Sequence, residues 1–393
     1  MIDDVDPTVL GANIAHARKR RQLTQAELAK LLAVSRPIVI AIEAGQRLPS
    51  DDEILRISEA LEIGVHDLLS LNAPDVTLGV RFRSLKLDER AKRAIEVLED
   101  YGRRYVALEQ RANDRIARRE PPVYPLKSVD NVERAADELA ATERLRLGLG
   151  DGPLPDLRTV LEEDLGLRIF GLDELRKTRI SGVFAYTKEY GALIGFNTAH
   201  DARRTRWTLC HELAHYLTER FDAEVTAVDA PPTRQEKREV FAEAFAARFL
   251  MPGTGLTRRF SEMVRDANGQ FKVAHLLLLA HFFEVSVEGL TERLEELGCV
   301  TRGTYAMLVS RGLKTREAEN ILGIERRAPV DRLPSRYIFL VTTLYAKGDI
   351  SEGDAANYLN TDRLHARQIL QSITEARSDD EELGLESPIG VAR

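Results

Sequence analysis

The sequence predicts a mainly α protein with one small β-sheet, an α+β chain built from more than one domain. Three observations lead there. Apolar residues recur at helical spacing through most of the chain, strand-like runs are confined to "GLRIFGL" and "SGVFAYTKEYGALIGFN", and 393 residues exceed a single core of about 100 to 200 residues.

Composition narrows the class. Apolar residues make up 44% and charged residues 30%, the balance of a globular chain able to bury cores. A net charge of −7 argues against a protein that coats nucleic acid over its whole surface, and leaves room for a local basic face. Cys210 and Cys299 cannot form a disulfide framework, and the start "MIDDVDPTVLG" is acidic where a signal peptide is basic. No run reaches the ~18 apolar residues of a membrane span. The expected setting is the cytoplasm, with no membrane partner.

The first elements are short helices. Leu10, Ile14 and Ala17 share a face in "LGANIAHARKRRQL", and Arg18, Lys19, Arg20 and Arg21 close it, where cations suit the helix dipole. Thr24 and Glu27 form a capping box at the head of "TQAELAKLLA". Ser35 then caps "RPIVIAIEA", which tolerates Pro37 in its first turn and stops at Gly45. Two short helices joined by a tight turn outline a helix-turn-helix, whose second helix enters the major groove.

The stretch "LTQAELAKLLAVSRPIVIAIEAGQRLPSDDEILRISEALEI" resembles the phage-repressor-like (Xre) helix-turn-helix family over roughly residues 10 to 70. It carries the family's Thr-Gln, Leu-Ala, Val-Ser, Glu-x-Gly and Arg-x-Pro-Ser. The resemblance implies a homodimer on a pseudo-palindromic double-stranded DNA operator. It places Gln25 on a phosphate, Arg36, Pro37 and Ala41 at base edges, Arg47 in support of backbone contact, and Ser35 in the same DNA-facing set. Ile38, Ile40 and Ala41 stand where polar readers are common, so readout rests on Arg36 and on apolar contact with thymine methyls. Docking of the module on a protein is the competing reading.

Next, Ala91, Ala94, Ile95, Leu98, Val106 and Leu108 recur at mostly helical spacing between Leu87 and Arg119. This predicts one long helix, or two broken at Gly102. Its arginines at 103, 104, 111, 115, 118 and 119 form either a phosphate-facing strip or, as the interleaved acids favour, a solvated face paired with them. "EPPVYP" marks a boundary.

Residues 130 to 150, with Ala135, Leu139 and Leu145 on one face, and 156 to 165 read as helices; the strands then fold back around "KEYG". "RWTLCHELAHYLTERF" follows. Four residues make slightly more than one helical turn, so His211 and His215 project from one face and reach one metal ion. Glu212 lies one position round, placed to take a proton from a metal-activated water without being a ligand. A catalytic zinc takes three protein ligands, and the third should come from the next strong helix, "RQEKREVFAEAFAARFLMP". There Phe241, Ala242, Phe245, Ala246 and Phe249 form a buried face bordered by Glu239 and Glu243. A strand edge beside such a site can hold an extended peptide by main-chain hydrogen bonds.

The order of strand hairpin, "RWTLCHELAHYL" and "EVFAEAFAARFLMP" resembles the ImmA/IrrE family of zinc metallopeptidases, over roughly residues 130 to 300. The resemblance implies a zincin-like fold and a zinc-dependent endopeptidase. In its Glu-x-x-Ala-Asn-x-Phe-Ala motif the first Glu is the third ligand, which implies Glu239, with Glu243 as the lesser alternative. Glu243 replaces the family's common Asn, and Cys210 its common Ala, either as a redox-sensitive neighbour of the metal or as a small buried residue. Two His and one Glu accept Zn2+ or Mn2+. Tyr186, Tyr190 and Tyr216 are candidate donors to the oxyanion; His200, His275 and His281 lack ligand spacing.

Further amphipathic helices follow Gly298, and "ISEGDAANYLNTDRLHARQIL", with Ser351 and Thr361 as caps, is either a second helix-turn-helix or a partner-binding helical domain. The expected domains are 1–72 (helix-turn-helix), 73–125 (connector), 126–298 (metallopeptidase), 299–377 (helical) and 378–393 (disordered tail). Together these describe a DNA-binding regulator that cleaves a protein, through its family a repressor or antitoxin in a stress, phage or mobile-element response. The alternatives are a regulator with a structural or sensory metal, and an antitoxin-like assembly partner.

Overall fold

The computed structural model describes residues 7–21, 23–61, 65, 89–116, 120–126, 131–154, 156–187, 189–220 and 237–371. The first part of the connector, Arg118, Arg119 and the expected disordered tail lie outside them. The chain divides into two compact units, Met1–Val80 and Arg81–Arg393.

In the first unit, α1 (Pro7–Arg20), α2 (Gln25–Leu31), α3 (Arg36–Glu43) and α4 (Asp51–Leu61) bury Leu10, Ile14, Leu28, Val39, Ile42, Ile54 and Ile57 in one core. The capping box of Thr24 and Glu27 is formed. Between α2 and α3 the chain turns through Ala33 at φ 54°, and Gly45 at φ 70° ends α3. A methyl at Gly11 would lie 2.4 Å from the Ile42 carbonyl, so only glycine lets α1 cross α3 this closely. Arg18 is no dipole cation. It is buried, and its guanidinium grips both Glu43 oxygens at 2.5 and 3.0 Å.

The second unit is α+β. Three strands, β1 (Arg168–Leu172), β2 (Gly182–Thr187) and β3 (Gly191–Asn197), pair in the order β1-β3-β2, with β1 parallel and β2 antiparallel to the central β3. Every strand residue is buried, because helices cover both faces. One cover is α5 (Glu89–Ala112), unbroken at Gly102: a methyl there would meet Leu193 of β3 at 2.7 Å, so the glycine serves close packing. Tyr101 stacks on Phe170 with centroids 4.7 Å apart, and the buried pair of Glu109 and Arg168 ties α5 to β1 at 2.8 Å. Arg103 and Arg104 pair with Asp100 on their own helix, as the self-paired reading expects, but neither is a solvated side chain: both are largely covered, and Arg104 also donates to the Asn357 carbonyl.

The other cover is α7 (Ala202–Glu219), backed by α8 (Lys237–Leu250), which in turn packs on α6 (Val132–Arg146). Leu145 departs from the expected face of α6 and is 84% exposed. Arg144 takes the inward position instead, donating to the carbonyls of Gly150, Phe249, Leu149 and Gly152. Four helices continue the unit: α9 (Gly253–Asp266), α10 (Val273–Phe283), α11 (Val287–Glu296) and α12 (Thr304–Ser310). Then come α13 (Thr315–Ile321), α14 (Ser335–Ala346) and α15 (Glu352–Tyr358), capped by Ser351; the next helix is capped by Asp362, not Thr361. Among the described residues no single helix is long and apolar enough to cross a membrane.

Candidate metal centre and nucleic-acid interface

One turn of α7 and the first turns of α8 converge. Nε2 of His211 lies 3.1 Å from Nε2 of His215, 3.3 Å from Oε2 of Glu239, and His215 Nε2 is 3.8 Å from Oε1 of Glu239. Among the described residues, these three make the one His/Cys/Asp/Glu group with ligand atoms close enough to share an ion. Ligands about 2.0–2.1 Å from a tetrahedral zinc stand about 3.3 Å apart, so the triangle matches one face of such a site. The outer nitrogens carry carboxylates as well: His211 Nδ1 lies 3.3 Å from Glu243 Oε1, and His215 Nδ1 3.5 Å from Glu219 Oε2. With an anion beside each Nδ1, both rings could turn an Nε2 lone pair toward a cation held between them, His211 after giving up its proton.

Without an ion, the two rings are pushed in opposite directions. Burial opposes charge on His211, but Glu239 and Glu243 on its two nitrogens hold its pKa up to about 10. Burial holds His215 below the usual range. Burial also pushes the Glu212 carboxyl up to about 8. Glu212 is fully buried with neither oxygen hydrogen-bonded, and a methyl at Gly182 would lie 2.7 Å from its Oε1. The carboxylate is thus held under the first residue of the edge strand β2, both oxygens buried without a hydrogen-bond partner.

His211 and Glu243 open onto a cleft of about 530 Å³, also lined by Arg204, Trp207, Glu292 and Tyr305. None of the three tyrosines singled out in the sequence lines it. Tyr186 donates to Glu120 at 2.9 Å, Tyr190 lies buried against Gly102, and Tyr216 packs on Phe184. Tyr305, which carries no signal in its sequence neighbourhood, does line it, as do Thr315 and Arg326 from beyond α11. The far wall is fastened by Glu319 of α13, buried between Arg203 at the head of α7 and Arg326. Cys210 is fully buried with its thiol pushed up to about 12 by burial, which fits a small packing residue and not a reactive one.

In the first unit, Ser35, Arg36 and Pro37 stand exposed at the start of α3, and Ala41 is half-buried. Ser35 occupies the N-cap position but its side chain makes no capping bond. Gln25 donates to Glu43 at 2.9 Å and Arg47 pairs with Glu53 at 3.0 Å, so each already has an intramolecular partner. Ile38 packs against the core and Ile40 is 41% exposed.

Family models match at two places: a helix-turn-helix over residues 14–68 and an IrrE N-terminal-like domain of the M78 peptidases over residues 162–295. The chain is 31% identical over 88 residues to the cryptic phage CTXphi transcriptional repressor RstR of Vibrio cholerae, which spans 22% of this chain and 79% of that protein. The chain belongs to the Xre-type helix-turn-helix regulators with an ImmA/IrrE peptidase-type domain. Solved structures align with it at low scores. Bacillus thuringiensis PlcR in complex with a peptide and DNA is 13% identical, covers 96% of this chain and 99% of its own, and has a TM-score of 0.17. ComR of Streptococcus suis is 12% identical, covers 96% of each chain, and has a TM-score of 0.16. The cleft extends past the matched ImmA/IrrE-type segment, since Tyr305, Thr315 and Arg326 all follow residue 295.

Proposed function

We propose that this Xre-type regulator is also a zinc-dependent endopeptidase that cuts a protein of its own regulatory circuit, a repressor or an antitoxin. Glu212 carries the hydrolytic half of the reading: a buried carboxylate with two unpartnered oxygens, next in sequence to His211 and beneath β2. A metal held only for structure has no use for a base there.

His211, His215 and Glu239 would hold Zn2+, or Mn2+, which the same donors accept. Bound there, the ion would polarise the scissile carbonyl and make water a nucleophile near neutral pH. Glu212 takes a proton from that water on a carboxylate oxygen and delivers it to the leaving nitrogen. Burial favours its neutral form and a nearby dication its ionised form, which together poise it between base and acid. Among the described residues β2 pairs only with β3, so its other edge is the candidate to offer main-chain groups to an extended peptide, and Tyr305 in the cleft is the candidate donor to the oxyanion.

For the DNA half, the support is the Xre-type module and the likeness to a named phage repressor. A homodimer would set Arg36, Pro37 and Ala41 at base edges with Ser35, Gln25 and Arg47 toward the backbone, the last two after exchanging their present partners.

The test compares wild type with Glu212→Gln for bound metal and for cleavage of co-expressed regulators encoded nearby. The variant should keep its metal and lose cleavage. Cleavage by Glu212→Gln would remove the base, and a wild type that binds metal but cuts none of these proteins would favour the structural or sensory reading.

A further inference from the structure

Two glutamates one turn apart on α8 address opposite nitrogens of the same imidazole. Glu239 approaches Nε2 of His211 at 3.3 Å, and Glu243 approaches Nδ1 at 3.3 Å. Their surroundings differ too. Glu239 also reaches His215, whereas the other oxygen of Glu243 accepts a 2.8 Å hydrogen bond from the Trp207 indole, one turn before His211 on α7. The indole is itself located, since a methyl at Gly289 of α11 would already lie 3.4 Å from its ring.

We propose that Glu243, held by Trp207, is the positioning carboxylate for His211: its Oε1 stands 3.3 Å from an Nδ1 that has no hydrogen-bond partner here, and a small turn of the ring as Nε2 engages the metal would let Glu243 accept the Nδ1 proton and fix that tautomer. This rests on the metal reading above and assigns roles within it. A neutral imidazole donates from one nitrogen only, so an anion on Nδ1 keeps Nε2 free as the ligand atom and makes it more basic. The negative charge of Glu243 therefore acts on the metal through the ring, without a bond to it.

The probe is zinc alone, titrated into the full chain against a chromophoric chelator. Glu243→Ala should weaken zinc binding about 10- to 100-fold, the usual effect of removing a group that orients a ligating histidine. Glu243→Gln keeps an acceptor oxygen but not the charge and should fall between. Trp207→Phe should weaken binding less than Glu243→Ala, and the double variant should be no worse than Glu243→Ala alone, because the indole acts through the carboxylate. Glu243 is 44% exposed at its side chain, so the metal-free melting temperature should stay near wild type.

Unchanged zinc affinity in Glu243→Ala overturns the assignment while leaving the peptidase reading intact. Loss equal to that of Glu239→Ala overturns it differently, by making Glu243 a ligand. Conversely, weakened zinc binding in Glu243→Ala beside continued cleavage by Glu212→Gln upholds this inference and defeats the catalytic one.

Discussion

A methyl group on Gly182 would stand 2.5 Å from Thr208 Cγ2 and 2.7 Å from Oε1 of Glu212. The strand that would hold a substrate and the carboxylate that would act on it therefore pack without room for one more carbon. Gly182→Ala should destabilise the chain by about 1–3 kcal/mol and abolish cleavage, while zinc binding persists because no ligand is touched. Wild-type melting and cleavage in this variant would contradict the packing described.

The pair of Glu109 and Arg168 lies buried between α5 and β1. Glu109→Ala removes a carboxylate from a buried guanidinium that keeps its bond to the Tyr190 carbonyl, and should cost about 3–5 kcal/mol, read as a large drop in denaturation midpoint. A cost within 0.5 kcal/mol, the range of ordinary surface substitutions, would mean that solvent or another anion reaches Arg168.

His200, at the entrance to α7, has its pKa lowered to about 4 by burial, with Arg204 adding to the effect. Its folded value lies below its unfolded value near 6.5, so its contribution to stability is present above about pH 6.5 and is lost as pH falls toward 4. His200→Gln should flatten the decline in melting temperature across that window. An unaltered pH profile would assign the acid sensitivity to other groups.

Cys210 and Cys299 differ in access, one buried and one half-buried. Iodoacetamide should modify Cys299 in the native chain and Cys210 only after denaturation, as peptide masses would show. Native modification of Cys210 would revive a redox role beside His211.

Arg36→Ala should weaken operator binding by about 1–3 kcal/mol and relax specificity at one base position. A uniform loss across all sequences would make Arg36 a phosphate contact instead.

What the sequence carried and what it did not follows from distance along the chain. The pairing of His211 with His215 and the capping box at Thr24 depend on residues three or four apart, so local helical geometry makes them readable. The split of Glu239 and Glu243 between two ring nitrogens depends on how α8 meets α7, and spacing alone left both open. The grip of Arg18 on Glu43, the inward turn of Arg144, and Tyr305 in the cleft join segments far apart, and polar residues there took positions that hydropathy assigns to solvent or to leucine. Tyrosines 101, 105 and 337 were invisible for the same reason, since their ring packing arises only once α5, β1 and α14 assemble.

Glu319 sets a condition on any shortened form of this protein. It neutralises Arg203 at the head of the histidine-bearing helix from a helix more than a hundred residues downstream. A fragment cut after residue 298 would keep all three candidate ligands yet leave that guanidinium without its counter-charge and one side of the cleft missing. Metal uptake and selective proteolysis should then come apart: the excised piece could bind its ion and still have lost the means to choose what it cuts.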